Sequence, residues 1–259
     1  MVSEFSVGVD DRILTITIER PAKRNALNGD LCVALTEVLR GSEPSIAAVV
    51  ITGAGSAFCA GADLVSRFGA GTDGGPATDT FRPSFEVLLD TIADCPVPVI
   101  AAINGPAIGA GMQLGVACDI RIATPSAKMA IPGGKLGILL SPTNVWRLTQ
   151  LVGHGLTRDF LLTGRVVDGT EALAMGLVQR IADDVRAAAH ELAVHIASLA
   201  PLTVRGHKRV INLVGESTAL SDSARAEALR LEARAFASKD LVEGTAAFAE
   251  KRAPRFKGE

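Results

Sequence analysis

Two stretches of this chain share one pattern: "IAAVVITGAG" (46–55) and "VPVIAAINGPAIG" (97–109). Each is a short apolar run that ends in a glycine-rich turn. A strand with one face in water alternates apolar and polar side chains. A run apolar at nearly every position needs cover on both faces, which is the situation of a parallel strand sandwiched between helices. Parallel neighbours cannot be joined by a tight hairpin and need a crossover, usually helical. The pattern therefore commits the chain to an α/β fold in which strands feed glycine turns and then helices.

The flanking segments fit that frame. "FSVGVDDRILTITIER" (5–20) reads as a hairpin turning at Asp10-Asp11. "NGDLCVALTEVLRG" (28–41) reads as an amphipathic helix with Leu31, Ala34, Leu35 and Val38 at helical spacing and Gly41 just past its end. "DIRIATPSAKMAIPGG" (119–134) reads as a further strand segment, and "SRFGAGTDGGPATDTFRP" (66–83) as a surface loop. From Pro201 onward the texture turns long, charged and helical. The expected organisation is a mixed α/β core over 1–199 and a helical region over 200–259, a length that suits one large domain with an appendage.

Composition excludes several classes. A formal net charge of −2 gives no reason to expect a nucleic-acid partner. Cys32, Cys59, Cys95 and Cys118 show no C-x-x-C pairing and sit in apolar surroundings, so reduced packed thiols are expected, with no disulfide frame and no metal site. No segment has the order of a signal peptide or the length of a membrane span, and a soluble cytoplasmic protein is expected.

Familiar motifs fail when tested. Gly109-Ala110-Gly111-Met112-Gln113-Leu114 puts Leu where a dinucleotide fingerprint needs its last glycine, which argues against an NAD-dependent dehydrogenase. Gly134-Lys135 lacks both the upstream glycine and the hydroxyl residue of a phosphate loop. Gly215 to Ala219 misses the second glycine of a nucleophile elbow. His190 and His195 are off the spacing of a helical metal pair. What remains is the pair of glycine turns, "SAFCAGADL" (56–64) and "INGPAIGAGMQL" (103–114). Small residues let backbone approach a ligand, and the first N–H groups of a following helix point outward. Two such turns side by side would present two N–H donors to one oxygen, as an oxyanion hole does.

Over essentially its whole length the chain resembles the crotonase superfamily, the enoyl-CoA hydratase/isomerase family. The resemblance is carried by "IERPAKRNALN" (18–28), "GSAFCAGADL" (55–64), "PVIAAINGPAIGAGMQLGVACDIRIA" (98–123), "KLGI" (135–138) and "AAFAEKRAPRFKG" (246–258). It implies a spiral of ββα units with a C-terminal helical trimerisation region, assembled as a homotrimer or hexamer. It implies a coenzyme A thioester as substrate or ligand and no separate cofactor. By motif position the oxyanion donors are the N–H groups of Ala62 and Ala110, the latter a departure from the usual glycine. Lys23, Arg24 and Ala26 fall on the pantetheine and phosphate side, and Ala60, Asp63 and Leu64 flank the adenine. Phe248 and Lys251 match positions that reach a neighbouring subunit's CoA.

The departures bear on chemistry. The two hydratase glutamates are replaced by Gln113 and Gly133, and neither can act as a base near neutral pH. General acid–base groups are each worth roughly 10²–10⁴ in rate, so ordinary hydratase turnover is expected to be lost. Ser141, with Thr143 and Asn144 beside it, occupies the approximate place where some relatives carry an Asp. His154, in "LVGHG" (151–155), is read as lying beyond a helix. "INGPAIGAGMQL" and "LVGHG" are similar to actinobacterial hydratase-like proteins that lack the catalytic glutamates and handle long fatty acyl-CoA. Two functions stand: a fatty acyl-CoA-binding protein without hydratase activity, and an active isomerase, hydratase or acyl-CoA hydrolase using a different base. A partner protein from a fatty-acid pathway is possible but not specified by the sequence.

Overall fold

The computed structural model describes residues 4–64, 80–216, 222, 223, 226, 229, 230, 233 and 236–255. Most of the expected 66–83 loop lies outside the described residues. The strands are β1 (Phe5–Asp10), β2 (Ile13–Ile18), β3 (Ala48–Gly53), β4 (Val99–Ile103), β5 (Ala107–Ile108), β6 (Ile120–Ala123), β7 (Met129–Ala130) and β8 (Arg180–Ile181). A six-stranded sheet runs β1-β2-β3-β4-β6-β8, and β5 pairs with β7 in a separate two-stranded sheet. Among the described strands the β1–β2 pair is antiparallel and the later strand pairs are parallel. The hairpin turns on Asp11 and Arg12, both left-handed at φ 43° and 68°, one residue later than expected. The 119–134 segment is not one strand but two, β6 and β7, which belong to different sheets.

The described helices are α1 (Gly29–Arg40), α2 (Phe81–Ala93), α3 (Ala110–Ala117), α4 (Pro142–Thr163), α5 (Gly169–Ala174), α6 (Val185–Ser198), α7 (Pro201–Glu216) and α8 (Lys239–Ala249). Helix α1 starts where expected, with the Asn28 side chain accepting from the Leu31 N–H, and stops at Gly41. Its buried stripe is Leu31, Cys32, Leu35, Thr36 and Leu39, slightly rotated from the expected one. Helix α2 emerges from what reads as the end of a loop: "TFRP" supplies its cap and first turn, and Phe81, Phe85, Leu88, Leu89 and Ile92 form its buried face. Each of those side chains contributes about 1.5–3 kcal/mol by leaving water.

Strand β3 is buried at every position because both faces of the sheet are covered. Leu14, Ile16, Val49, Ile51, Val99 and Ala101 point into the main core with α1 and α2. Ile13, Ala48, Val50, Ile100 and Ile122 point the other way, against Val185, Ala189 and Ile196 of α6. Helix α7 is fastened to this body by a buried cation. Lys208 Nζ donates to the carbonyl of Val97 (3.1 Å) and to Asp119 Oδ2 (2.7 Å), while Asp119 also accepts from the Val99 N–H (2.6 Å). Burial pushes the Asp119 carboxyl up, and Lys208 beside it pulls the other way. No single helix among the described residues is long and apolar enough to cross a membrane.

Candidate functional site

Strands β3 and β4 lie side by side and end together, so the two glycine turns leave the sheet as neighbours. Asn104 ties them: its Nδ2–H donates to the carbonyls of Gly53 and Gly55, both at 2.9 Å, and its Oδ1 accepts from the Gly53 N–H (3.3 Å). Beyond that knot the two chains run parallel, with Cys59 N–H donating to the Pro106 carbonyl (3.0 Å) and Ile108 N–H to that of Cys59 (2.9 Å). The approach is too close for side chains. A Cβ on Gly111 would stand 2.1 Å from the Cys59 carbonyl oxygen. Gly61 takes a left-handed φ of +109°, and its missing Cβ would lie 3.7 Å from the Ala110 nitrogen.

This geometry leaves two N–H groups facing the same space. Leu27 donates to the Gly61 carbonyl (2.8 Å) and accepts from the Asp63 N–H (2.7 Å), so the N–H of Ala62 between them points away from Leu27. Ala110 is the first residue of α3, where an N–H has no carbonyl one turn earlier to bond. Neither N–H donates to any acceptor among the described residues. The positive φ in this turn falls on Gly109 (57°), so Ala110 replaces the usual glycine without strain. The far end of α3 is held by Arg121, whose guanidinium donates to the carbonyls of Gly115 (3.1 Å), Cys118 (2.5 Å) and Leu177 (2.9 Å). Burial lowers this arginine to about 10, so it keeps its charge at the negative end of the helix dipole while the positive end faces the gap. Cys59 is buried, and burial pushes its thiol up to about 12, so it is not an ionised nucleophile near neutral pH.

Both turns open into one cavity of about 530 Å³. Its lining includes Lys23, Arg24, Ala26, Ala60, Asp63 and Leu64, and also Ala62, Ala110, Gln113, Gly133, Ser141 and Phe248. Of the residues that the resemblance assigns to CoA, Lys251 is the one outside this lining. It is exposed and left-handed (φ 55°) beyond the end of α8. Phe248 lines the cavity of its own chain, although the resemblance places it at a neighbour's. Helix α8 reaches there by a backbone contact: a Cβ on Gly244 would stand 2.5 Å from the Leu136 carbonyl oxygen.

Asp63 is more engaged than its motif suggests. Its Oδ2 accepts from Arg20 Nη2 (2.9 Å) and Lys23 Nζ (2.7 Å), and the carboxylate is buried. Arg20, which sequence reasoning missed, also reaches Glu4 (2.9 Å) and the Ala26 carbonyl, so one guanidinium sets the shape of the 20–27 turn. With two cations on it, Asp63 is a scaffold and not a base.

Three further lining residues, Glu86, Gln113 and Ser141, belong to one hydrogen-bonded frame of side chains. Asn144 Nδ2–H donates to Gln113 Oε1 and to Glu86 Oε1, each at 3.0 Å, and Ser141 Oγ–H donates to Glu86 Oε2 (3.1 Å). Arg147 Nη1 donates to Asn144 Oδ1 (3.1 Å), and Arg147 Nη2 pairs with Asp90 Oδ1 (2.7 Å). Because an arginine only donates, Asn144 must turn its oxygen to Arg147 and its NH₂ to Glu86 and Gln113. Ser141 also caps α4, accepting from the Asn144 N–H (3.3 Å). Glu86 is the functional candidate that sequence reasoning missed; the Phe81, Phe85, Leu88 spacing could have revealed its helix. The Gly133 position is closed to a side chain, since a Cβ there would stand 2.4 Å from the Ile138 carbonyl oxygen. His154 follows the non-helical break at Gly153, beyond the first helical segment of α4. It is exposed at the start of the second segment, next to Gly153 (φ 76°, ψ 167°). No metal-binding cluster occurs among the described residues.

The family model for enoyl-CoA hydratase/isomerase matches residues 8–259. A protein of Mycobacterium tuberculosis (strain CDC 1551 / Oshkosh) named as the probable enoyl-CoA hydratase echA6 is 40% identical over 250 residues, covering 96% of this chain and 97% of its own. Among solved structures, the enoyl-CoA hydratase/isomerase of Pseudoalteromonas atlantica T6c superposes with a TM-score of 0.85 at 34% identity, over 98% of this chain and 100% of that one. A methylmalonyl-CoA decarboxylase structure, 22% identical, shares the fold at a TM-score of 0.88, over 99% of each chain. This chain therefore has the crotonase fold and belongs to the enoyl-CoA hydratase/isomerase family.

Proposed function

We propose that the protein binds fatty acyl-CoA thioesters, with the thioester oxygen between the N–H groups of Ala62 and Ala110 and the acyl chain in the apolar part of the cavity. The observation that carries this reading is the pair of adjacent N–H groups, without acceptors among the described residues, at the wall of one large pocket. Lys23, Arg24 and Ala26 take the phosphate and pantetheine side, and Ala60, Asp63 and Leu64 the adenine side; Lys251 serves a neighbouring subunit. Ordinary two-carboxylate hydration is absent from this reading, because Gln113 and Gly133 hold the places of both acids.

The protein acts in the cytoplasm as a homotrimer or hexamer, with residues 200–259 as the assembly region. Support for assembly comes from α7, which exposes Leu202, Val210, Ile211 and Val214. Later in the same region Leu241 is buried within the chain, whereas Leu229 and Phe248 are exposed.

The test is calorimetric titration with decanoyl-CoA and with free CoA. Ala110→Pro removes one donor at a helix position that tolerates proline. It is expected to weaken decanoyl-CoA binding about tenfold while CoA binding changes little. Unchanged decanoyl-CoA affinity in the folded variant would overturn the site. A second reading, an active enzyme with a different base, is favoured by the Glu86 carboxylate in the same cavity.

A further inference from the structure

We infer that Glu86 is the catalytic base of this site: it takes the proton from C2 of a bound acyl-CoA thioester and returns it. The inference rests on the acyl-CoA reading above and adds a residue that neither glutamate position supplies. Two carboxylates line the cavity among the described residues, Asp63 and Glu86. Asp63 is held by Arg20 and Lys23. Glu86 accepts from two neutral donors of α4, Ser141 Oγ–H on one oxygen and Asn144 Nδ2–H on the other.

The aim is set by a frame larger than the carboxylate needs for packing. Glu86 and Asp90 lie one turn apart on α2; Ser141, Asn144 and Arg147 are spaced by three at the start of α4. The outer pair, Asp90 with Arg147, also links the two helices. The inner group holds a half-buried carboxylate at the cavity lining, where its hydrogen bonds are arranged in advance by α4. Asn144 is 4% exposed and shared between Glu86 and Gln113. One amide nitrogen therefore places the carboxylate within two hydrogen bonds of Gln113, which lies one turn after Ala110 on α3. The base and the oxyanion donor thus face one pocket from two directions.

The chemistry balances without any co-reactant. A Glu86 oxygen takes the C2 proton, and the C–H electron pair becomes the C1–C2 double bond of an enolate. The negative charge moves to the thioester oxygen between the Ala62 and Ala110 N–H groups. When the enolate collapses, the Glu86 acid gives the proton back, at C2 or, in a 3-enoyl thioester, at C4 with the double bond moved to C2–C3. One carboxylate suffices because the same group removes and returns the proton, whereas hydration also requires a positioned water.

The experiment uses the full-length protein with 3-hexenoyl-CoA in deuterated buffer, reading deuterium incorporation by mass spectrometry and affinity by calorimetry. The wild type is expected to incorporate deuterium. Glu86→Gln, nearly isosteric, is expected to slow it by roughly 100-fold or more while affinity stays within about threefold, since the oxyanion donors are untouched. Glu86→Asp is expected to retain a measurable part of the rate. An unchanged rate in folded Glu86→Gln overturns the assignment, as does a wild type that binds the thioester but exchanges no faster than buffer. A wild type that fails to bind overturns the acyl-CoA reading itself, so the two failures are distinguishable.

Discussion

One region of the cavity lining presents the backbone N–H groups of Ala62 and Ala110; another presents side chains, Gln113, Ser141 and Glu86, tied together through Asn144. The first is fixed by covalent geometry and by glycines whose replacement would drive a Cβ into a carbonyl, as at Gly111 against Cys59. The second is fixed by a hydrogen-bonded frame between α2 and α4, in which each member is one substitution away from a different polarity. A backbone donor survives most mutations, while a side-chain acid does not. On the function proposed above, the backbone cradle is kept while the side chains around it differ, with Gln113 and Gly133 at the positions where the resemblance implies glutamates and Glu86 entering from α2.

The sharpest way to break the comparison is to damage the backbone region. Gly111→Val would place its Cβ against the Cys59 backbone, which cannot give way without separating the two turns. It is expected to destabilise the protein by about 3 kcal/mol in urea unfolding and to abolish acyl-CoA binding even where the fold survives. A stable variant that still binds would show that the turns are not coupled as described. Next in size is the tenfold loss expected for Ala110→Pro, which removes one donor and leaves the packing of the turns in place. Smallest is the effect of restoring the missing acids. The double variant Gln113→Glu, Gly133→Glu is expected to hydrate crotonyl-CoA no faster than the wild type, because a side chain at 133 meets the Ile138 carbonyl and displaces the segment that should aim it. Clear hydratase turnover in that variant would mean the side-chain region kept its ancestral geometry.

The same division explains what the sequence reveals. The paired strands and glycine turns are readable because backbone proximity imposes a residue type: a strand buried on both faces must be apolar throughout, and a turn packed on a carbonyl must be glycine. Ala62, Ala110, Gln113 and Gly133 follow from those turns and from motif positions, and the fold does bring them to one cavity. Glu86 is not readable in that way. Its helix begins in "TFRP", at the end of a glycine-rich stretch, and one glutamate on an amphipathic helix looks like a solvated face. What sets it apart is a frame contributed by Ser141 and Asn144, 55 and 58 residues later in the chain. Arg20 and Arg121 escape notice for the same reason, since their partners are carbonyls and a carboxylate that only the fold brings near. The closure of position 133 is likewise a contact with backbone five residues on, and a missing side chain carries no mark of what would obstruct it.

The central claim is that two backbone N–H groups hold a thioester oxygen, and the most direct measurement is isotope-edited infrared spectroscopy of an acyl-CoA carrying ¹³C at the thioester carbonyl. With wild-type protein the labelled carbonyl stretch is expected to move to lower frequency than for the same thioester in buffer, because two donors polarise the bond, and the shift is expected to shrink in Ala110→Pro. A bound thioester whose carbonyl stretch matches that in buffer, in both proteins, would contradict the account.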